Sequence, residues 1–353
     1  MKKFFFILLL LIATIANAQK YKISGELNAD VVNKLKQNIR PYDMMEYGYL
    51  VNAYNTAYLK TNNIDFLKKS YIIISAIERF GKNNNNQFKA EFDENNKKFR
   101  ENGLTYPVYE GYYFQYAAEF FYIIFSKRLT SQFSDVSVDF VEKNFFKWLN
   151  VNNDNDKRYS LLLKSRRHMG AQWATTALYL NALKNDKRYE EFLKYFDNDL
   201  RNGLITTAQG GYIWYANYGA TDRNAIARNA NKKNSLIAQD VSHANHIVNY
   251  ILTAYKLTYG KWSNQDINKL IITLKTSIND FKASSFNDNI DGTKSIDIAM
   301  QGRGWKQTDG WMKLAEFDPE LVNDYKNFYK KNYNYFKNSV LNAQFEANIF
   351  IKN

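Results

Sequence analysis

Apolar residues along this chain recur at spacings of three and four, the period of one helix face, rather than alternating as in a strand. MMEYGYLVNAYNTAYLK at 44–60 is followed by DFLKKSYIIISAIERF at 65–80, and YEGYYFQYAAEFFYIIF at 109–125 by VDFVEKNFFKWL at 138–149. HMGAQWATTALYLNALK at 168–184 precedes RYEEFLKYFDNDL at 188–200, and SHANHIVNYILTAYKL at 242–257 precedes QDINKLIITLKTSINDF at 265–281. TDGWMKLAEF at 308–317 and PELVNDYKNFYKKNYNYF at 319–336 complete five pairs, which recur at roughly 60 to 75 residues.

The first segment of each pair is apolar or small almost all the way round, and the second carries a Lys/Glu/Asp face. A helix apolar on every side belongs inside and an amphipathic one belongs on the surface. The pattern therefore predicts an all-α fold, an (α/α) toroid or barrel of about five to six helical hairpins, as one domain over 19–353. An open solenoid would satisfy the same pattern, but its hairpins recur at about half this length. Only three prolines and fifteen glycines occur, too few for a sandwich of many tight turns.

Long connections at 81–108, 202–239 and 283–307 each precede an inner segment. Long irregular loops in a compact domain are usually functional, and here they would meet above the N-terminal ends of the inner helices. The asparagine run at 83–86 reads as a solvated turn.

Composition narrows the setting. MKKFFFILLLLIATIANAQ has a basic head, a short apolar run and a small-x-small site, the pattern of a signal peptide at 1–18 cut after Ala18. No later segment is long and apolar enough to span a bilayer. The expectation is a periplasmic or secreted protein without a membrane anchor. Cysteine is absent, so no disulfide supports an exported fold and the core must hold it. A formal charge of +13 favours an acidic partner. Export and the lack of a nucleic-acid motif argue against nucleic acid and leave an acidic polysaccharide, although lysines spread over solvated faces would give the same total.

Candidate chemistry gathers at the starts of the inner segments. Tyr109 and Glu110 open one, Arg167 and His168 the next, Gln239 and Asp240 the next, and Arg303, Trp305 and Asp309 the last. Asp240 and Asp309 could equally be helix caps. His243 and His246 lie three apart, on one helix face, with Asn245 and Asn249 beside them. With His168 they are the only histidines, and imidazole is the side chain best matched to proton transfer near neutral pH. The His-x-x-His spacing lacks the glutamate of a zinc-hydrolase motif, so no metal or cofactor is expected. Tyr212, Trp214, Tyr215 and Tyr218 stand beside glycines in GGYIWYANYG, as sugar-stacking rings or as loop anchors. Arg303, between two glycines, offers a planar fork for a carboxylate.

With RRHMGAQW, QDVSHANHIV and QGRGW at its inner-helix starts, the chain resembles the (α/α) toroid polysaccharide lyases of the alginate, glucuronan and chondroitin type, and exported toroid enzymes of Bacteroidetes. The resemblance implies β-elimination on a uronate-containing polysaccharide. It places His243 as the base or the group activating it, Asn245 and Gln172 at the substrate carboxylate, Tyr215 or Tyr218 as the acid, Arg303 on a neighbouring uronate, and His168 and His246 in support. The chain departs from that pattern at the third inner helix, which carries His168 and Gln172 in place of an Asn-His pair. Two alternatives stay open. A toroid glycoside hydrolase, including the unsaturated-uronyl hydrolase type, would use two of Glu110, Asp240 and Asp309. A glycan-binding protein would use the same aromatic, basic cleft without turnover.

Overall fold

In a computed structural model the chain is mostly helical, with two short antiparallel ribbons among the described residues. The structure describes residues 39–89, 105–151, 166–216, 238–296 and 298–351, together with Ile23, Leu35, Leu162 and Leu163. The proposed signal peptide and Tyr218 lie outside these residues.

Four sequence pairs form as helices. They are α1 (Pro41–Thr61) and α2 (Ile64–Asn83), α3 (Pro107–Ser126) and α4 (Val138–Leu149), α5 (Arg167–Lys184) and α6 (Lys187–Gly203), and α7 (Val241–Lys256) and α8 (Asn264–Thr273). The second members start on side-chain caps: Asn63, Ser137, Asp186 and Ser263 each accept a backbone N–H from the first turn. Proline opens α1 and α3, where the missing N–H costs nothing.

Two features of the fifth pair differ from expectation. Trp311–Glu316 is a 3-10 helix, not an α-helix, and after α9 (Glu320–Phe336) comes a further helix, α10 (Leu341–Ile349). These elements complete a sequence of neighbours. Helix α1 packs on α3, α3 on α5, α5 on α7, α7 on the 3-10 helix, the 3-10 helix on α10, and α10 on α1. Gly48 permits the first of these contacts, because a Cβ there would sit 2.4 Å from the Tyr112 carbonyl oxygen.

Core packing is aromatic. Phe114 of α3 stacks on Trp173 of α5 at 5.8 Å, and Phe145 of α4 meets Tyr189 and Phe192 of α6 at 5.5 and 5.6 Å. Each fully buried ring of this kind stabilises the fold by about 1.5–3 kcal/mol relative to exposure, which is how a cysteine-free chain holds together.

Candidate active site

Helix α7 starts at the point where its cap and its chemistry coincide. Asp240 Oδ1 accepts the His243 backbone N–H at 3.0 Å, and Asp240 Oδ2 lies 2.7 Å from His243 Nδ1. One carboxylate thus caps the helix and holds the imidazole, so capping and chemistry are not alternatives at this residue. An ionised carboxylate only accepts, so Nδ1 carries the proton and Nε2 is left as the basic nitrogen. The His243 side chain remains 23% exposed.

His168, at the start of α5, stacks on His243 with ring centres 4.2 Å apart and planes at 29°. His246, one turn deeper on α7, meets the edge of Tyr112 of α3 at 4.3 Å. The N-terminal turns of α3, α5 and α7 are therefore brought together, as the sequence predicts for the three histidines. Stacked rings set their nitrogens side by side rather than converging on one point, and no cluster able to hold a metal occurs among the described residues.

A second aspartate–histidine pair lies deeper. His246 Nδ1 is 3.4 Å from Asp309 Oδ2 and 3.3 Å from Gln115 Nε2, and the Tyr116 hydroxyl donates to Asp309 Oδ2 at 2.7 Å. Asp309 caps no helix, since the N-cap of the 3-10 helix is Gly310. The His246 Nε2, the His168 Nδ1 and both amide atoms of Gln172 are buried without a hydrogen-bond partner.

Electrostatics separate the two carboxylates. Burial disfavours the charge on Asp240, but the charge of His243, the two His243 hydrogen bonds and the Gln239 amide outweigh it and hold the group at about 2. Burial dominates at Asp309 and pushes it up to about 6, against the Tyr116 hydrogen bond and the charge of Lys313. Burial, reinforced by neighbouring positive charge, lowers His168 and His246 well below the ordinary histidine value. Both are therefore neutral imidazoles at neutral pH.

Several sequence candidates are placed elsewhere. Glu110 is wholly buried and turned toward α4, paired with Lys147 at 2.5 Å and accepting from Trp148 Nε1 at 2.7 Å. Arg167 is buried too, bonded to Asp199 at 3.2 Å and to the Tyr215 carbonyl at 3.2 Å. Asn245 spends its amide protons on the Ser242 and Lys306 carbonyls and its oxygen on the Trp311 N–H, so it fixes the loop before the 3-10 helix rather than facing a substrate.

The aromatic loop divides. Trp214 is buried and stacks on Trp311 at 6.1 Å, and Trp305 is buried against Tyr335 and Phe336. Trp214 is thus a loop anchor, one of the two readings its sequence allowed, and Trp305 packs in the core instead of facing a substrate as its place in the sequence suggested. Tyr212 turns to α8, where its hydroxyl donates to Asp266 at 2.8 Å. Tyr215 keeps a place near the histidines: its backbone bridges to Ala238, two residues before Asp240, and Arg167 holds its carbonyl. Tyr109 is half-buried and packs edge-on against Tyr42 and Tyr106. Arg303 is exposed, but its flanking glycines serve the backbone. Gly302 has φ 67°, and a Cβ on Gly304 would lie 1.9 Å from the Asn287 carbonyl oxygen.

Sequence reasoning missed Tyr112, Gln115 and Tyr116, which sit three and four apart on α3 and face α7. It also missed Lys306. This half-buried ammonium is lowered by burial and by repulsion from Arg303, and is drawn back up by Asp240. It is thus a positive charge within electrostatic reach of the Asp240–His243 pair. No known protein family, curated protein or solved structure matches the chain.

Proposed function

We propose that the chain is an exported polysaccharide lyase, built as an (α/α) toroid, that cleaves an acidic polysaccharide by β-elimination. The succession of neighbours from α1 round to α10 and back supports the closed arrangement, with α2, α4, α6, α8 and α9 as its outer layer. The observation that carries the reaction is the Asp240–His243 pair, on a histidine side chain that stays 23% exposed, with the unpaired Nδ1 of His168 beside it.

In this reading His243 Nε2 takes the proton from C5 of the uronate. The C5–H electrons form the C4–C5 double bond as the C4–O4 bond breaks, and Tyr215 returns a proton to the departing O4. Asp240 fixes the tautomer and stabilises the imidazolium that forms, as the aspartate of a catalytic triad does. A proton beside a carboxylate becomes removable only when the developing charge is stabilised. Lys306 serves that task, in place of the committed Asn245 and of Gln172, whose amide is buried against Gly111 of α3. The +13 balance favours retention of an acidic chain.

The test is incubation of the mature protein with alginate, glucuronan, chondroitin, hyaluronan and heparan in turn. A rise in the ultraviolet absorbance of the conjugated uronate with one of them is the expected result, because only elimination creates that group. A second reading, glycoside hydrolysis between two carboxylates, keeps Asp240 at the helix start but finds Asp309 and Glu110 buried. New reducing ends without ultraviolet absorbance would select the hydrolase. Neither signal, with retained glycan binding, would select a binding protein.

A further inference from the structure

The opposite ends of the inner helices enclose a cavity of about 360 Å³, lined by the last turns of α1, α3 and α7 and by the 3-10 helix. Lys60, Lys313, Lys256, Glu119, Tyr122 and Tyr179 shape it. Lys313 is buried, and its ammonium donates to the neutral Asn249 Oδ1 at 2.6 Å. Lys60 donates to the neutral Asn348 carbonyl. Among the described residues neither makes an ion pair, and Glu316 pairs instead with Lys256 at 2.6 Å. Burial is the largest influence and lowers both ammoniums, against the pull of Glu316 on Lys60 and of Glu119, Asp309 and Glu316 on Lys313, with Lys256 adding a smaller repulsion.

Two partly or wholly buried cations that share one cavity, with Glu119 and Glu316 acting on them only from beyond ion-pair distance, form a costly arrangement. The contrast among the described residues is plain, since buried Arg167 faces Asp199 and half-buried Lys147 faces Glu110. A small monoanion in the cavity would supply the direct contact that neither lysine makes. The rest of the wall describes its body. The Tyr122 and Tyr179 rings lie 5.5 Å apart along one side, and the Glu119 carboxylate accepts from Asn55 at 3.1 Å and Tyr179 at 3.4 Å, with lone pairs left for a ligand hydroxyl.

We infer that this cavity is a binding site for a small hydroxylated carboxylic acid of monosaccharide size, separate from the histidine cluster. The ligand carboxylate meets Lys313 and Lys60, and its hydroxyls meet Glu119. The volume lies within the range of small-molecule sites, about 300–1,000 Å³. The inference does not depend on the reaction proposed at the other end.

Calorimetric titration with D-glucuronate and with D-glucose tests it. Saturable one-to-one binding of glucuronate is expected, with glucose at least about tenfold weaker, because a charge-assisted contact is lost. Lys313→Met and Ser126→Trp, the second filling the cavity rim without touching a charge, should each weaken glucuronate at least about tenfold, whereas His243→Gln should leave it unchanged. Cooperative melting of each variant establishes that it is folded, and Ser126→Trp serves if Lys313→Met is not. Absence of saturable binding, equal affinity for glucose, or binding lost in His243→Gln and kept in Ser126→Trp would overturn the assignment.

Discussion

Helix α7 carries two histidines one turn apart, each facing an aspartate, and the two pairs are held in opposite ways. Asp240 receives three hydrogen bonds, stays ionised down to about 2, and grips a histidine that reaches solvent. Asp309 is sealed in the core, is pushed up to about 6, and stands 3.4 Å from a histidine with no exposure. The same two residue types thus make an oriented base at the rim and a protonatable pair inside. Donor count and solvent access, rather than residue identity, set the roles.

The comparison can be broken most sharply at the rim. Under the proposed β-elimination, His243→Gln is expected to lower turnover by about 100- to 10,000-fold, the range for loss of a general base, with KM little changed in steady-state kinetics. Asp240→Asn should come next, at about 10- to 1,000-fold in turnover, because an amide no longer enforces the proton on Nδ1. Asparagine still caps α7 but loses the ionised carboxylate, whose folded value of about 2 lies below the ordinary 3.8, so stability above pH ~4 should fall by up to about 2 kcal/mol, and Asp240→Ala should lose a further ~1 kcal/mol with the cap.

The buried pair predicts a stability effect with a defined sign. The folded state holds the Asp309 proton up to about 6, above the ordinary 3.8, so the group favours folding below its unfolded value and loses that contribution as pH rises through about 6. Asp309→Asn, which still accepts from Tyr116, should therefore match the wild type below pH ~4 and exceed it above pH ~7 by up to about 3 kcal/mol, measured by urea unfolding. The smallest effect is expected from Tyr116→Phe. Loss of that hydrogen bond should cost ~1 kcal/mol near neutral pH and move the Asp309 transition still higher.

How much of this was legible in the chain depended on what periodicity can express. Four helical pairs follow from apolar spacing because each spans several turns. The six-residue element at Trp311–Glu316 and the nine-residue helix at Leu341–Ile349 are too short for the period to declare itself. The three histidines were legible as a group, since His243 and His246 share a face and His168 opens the preceding inner helix. Tyr112, Gln115 and Tyr116 were not, because α3 is buried on nearly every side and no stripe marks which face meets α7. Glu110, Arg167 and Trp305 were misplaced for one shared reason. Their chemistry suits a site, but a sequence does not say that each already has a partner, as Lys147, Asp199 and Tyr335 turn out to be.

With only three histidines, nitrogen NMR of the labelled mature protein across pH reads the contrast directly. The expected result is a His243 imidazole with its proton on Nδ1, and His168 and His246 signals that remain neutral well below the ordinary histidine range. In Asp240→Asn the His243 preference should relax while the other two are unmoved. A His243 proton on Nε2 in the wild type, or a His246 that becomes charged near neutral pH, would contradict the assignment of the rim pair as the oriented base.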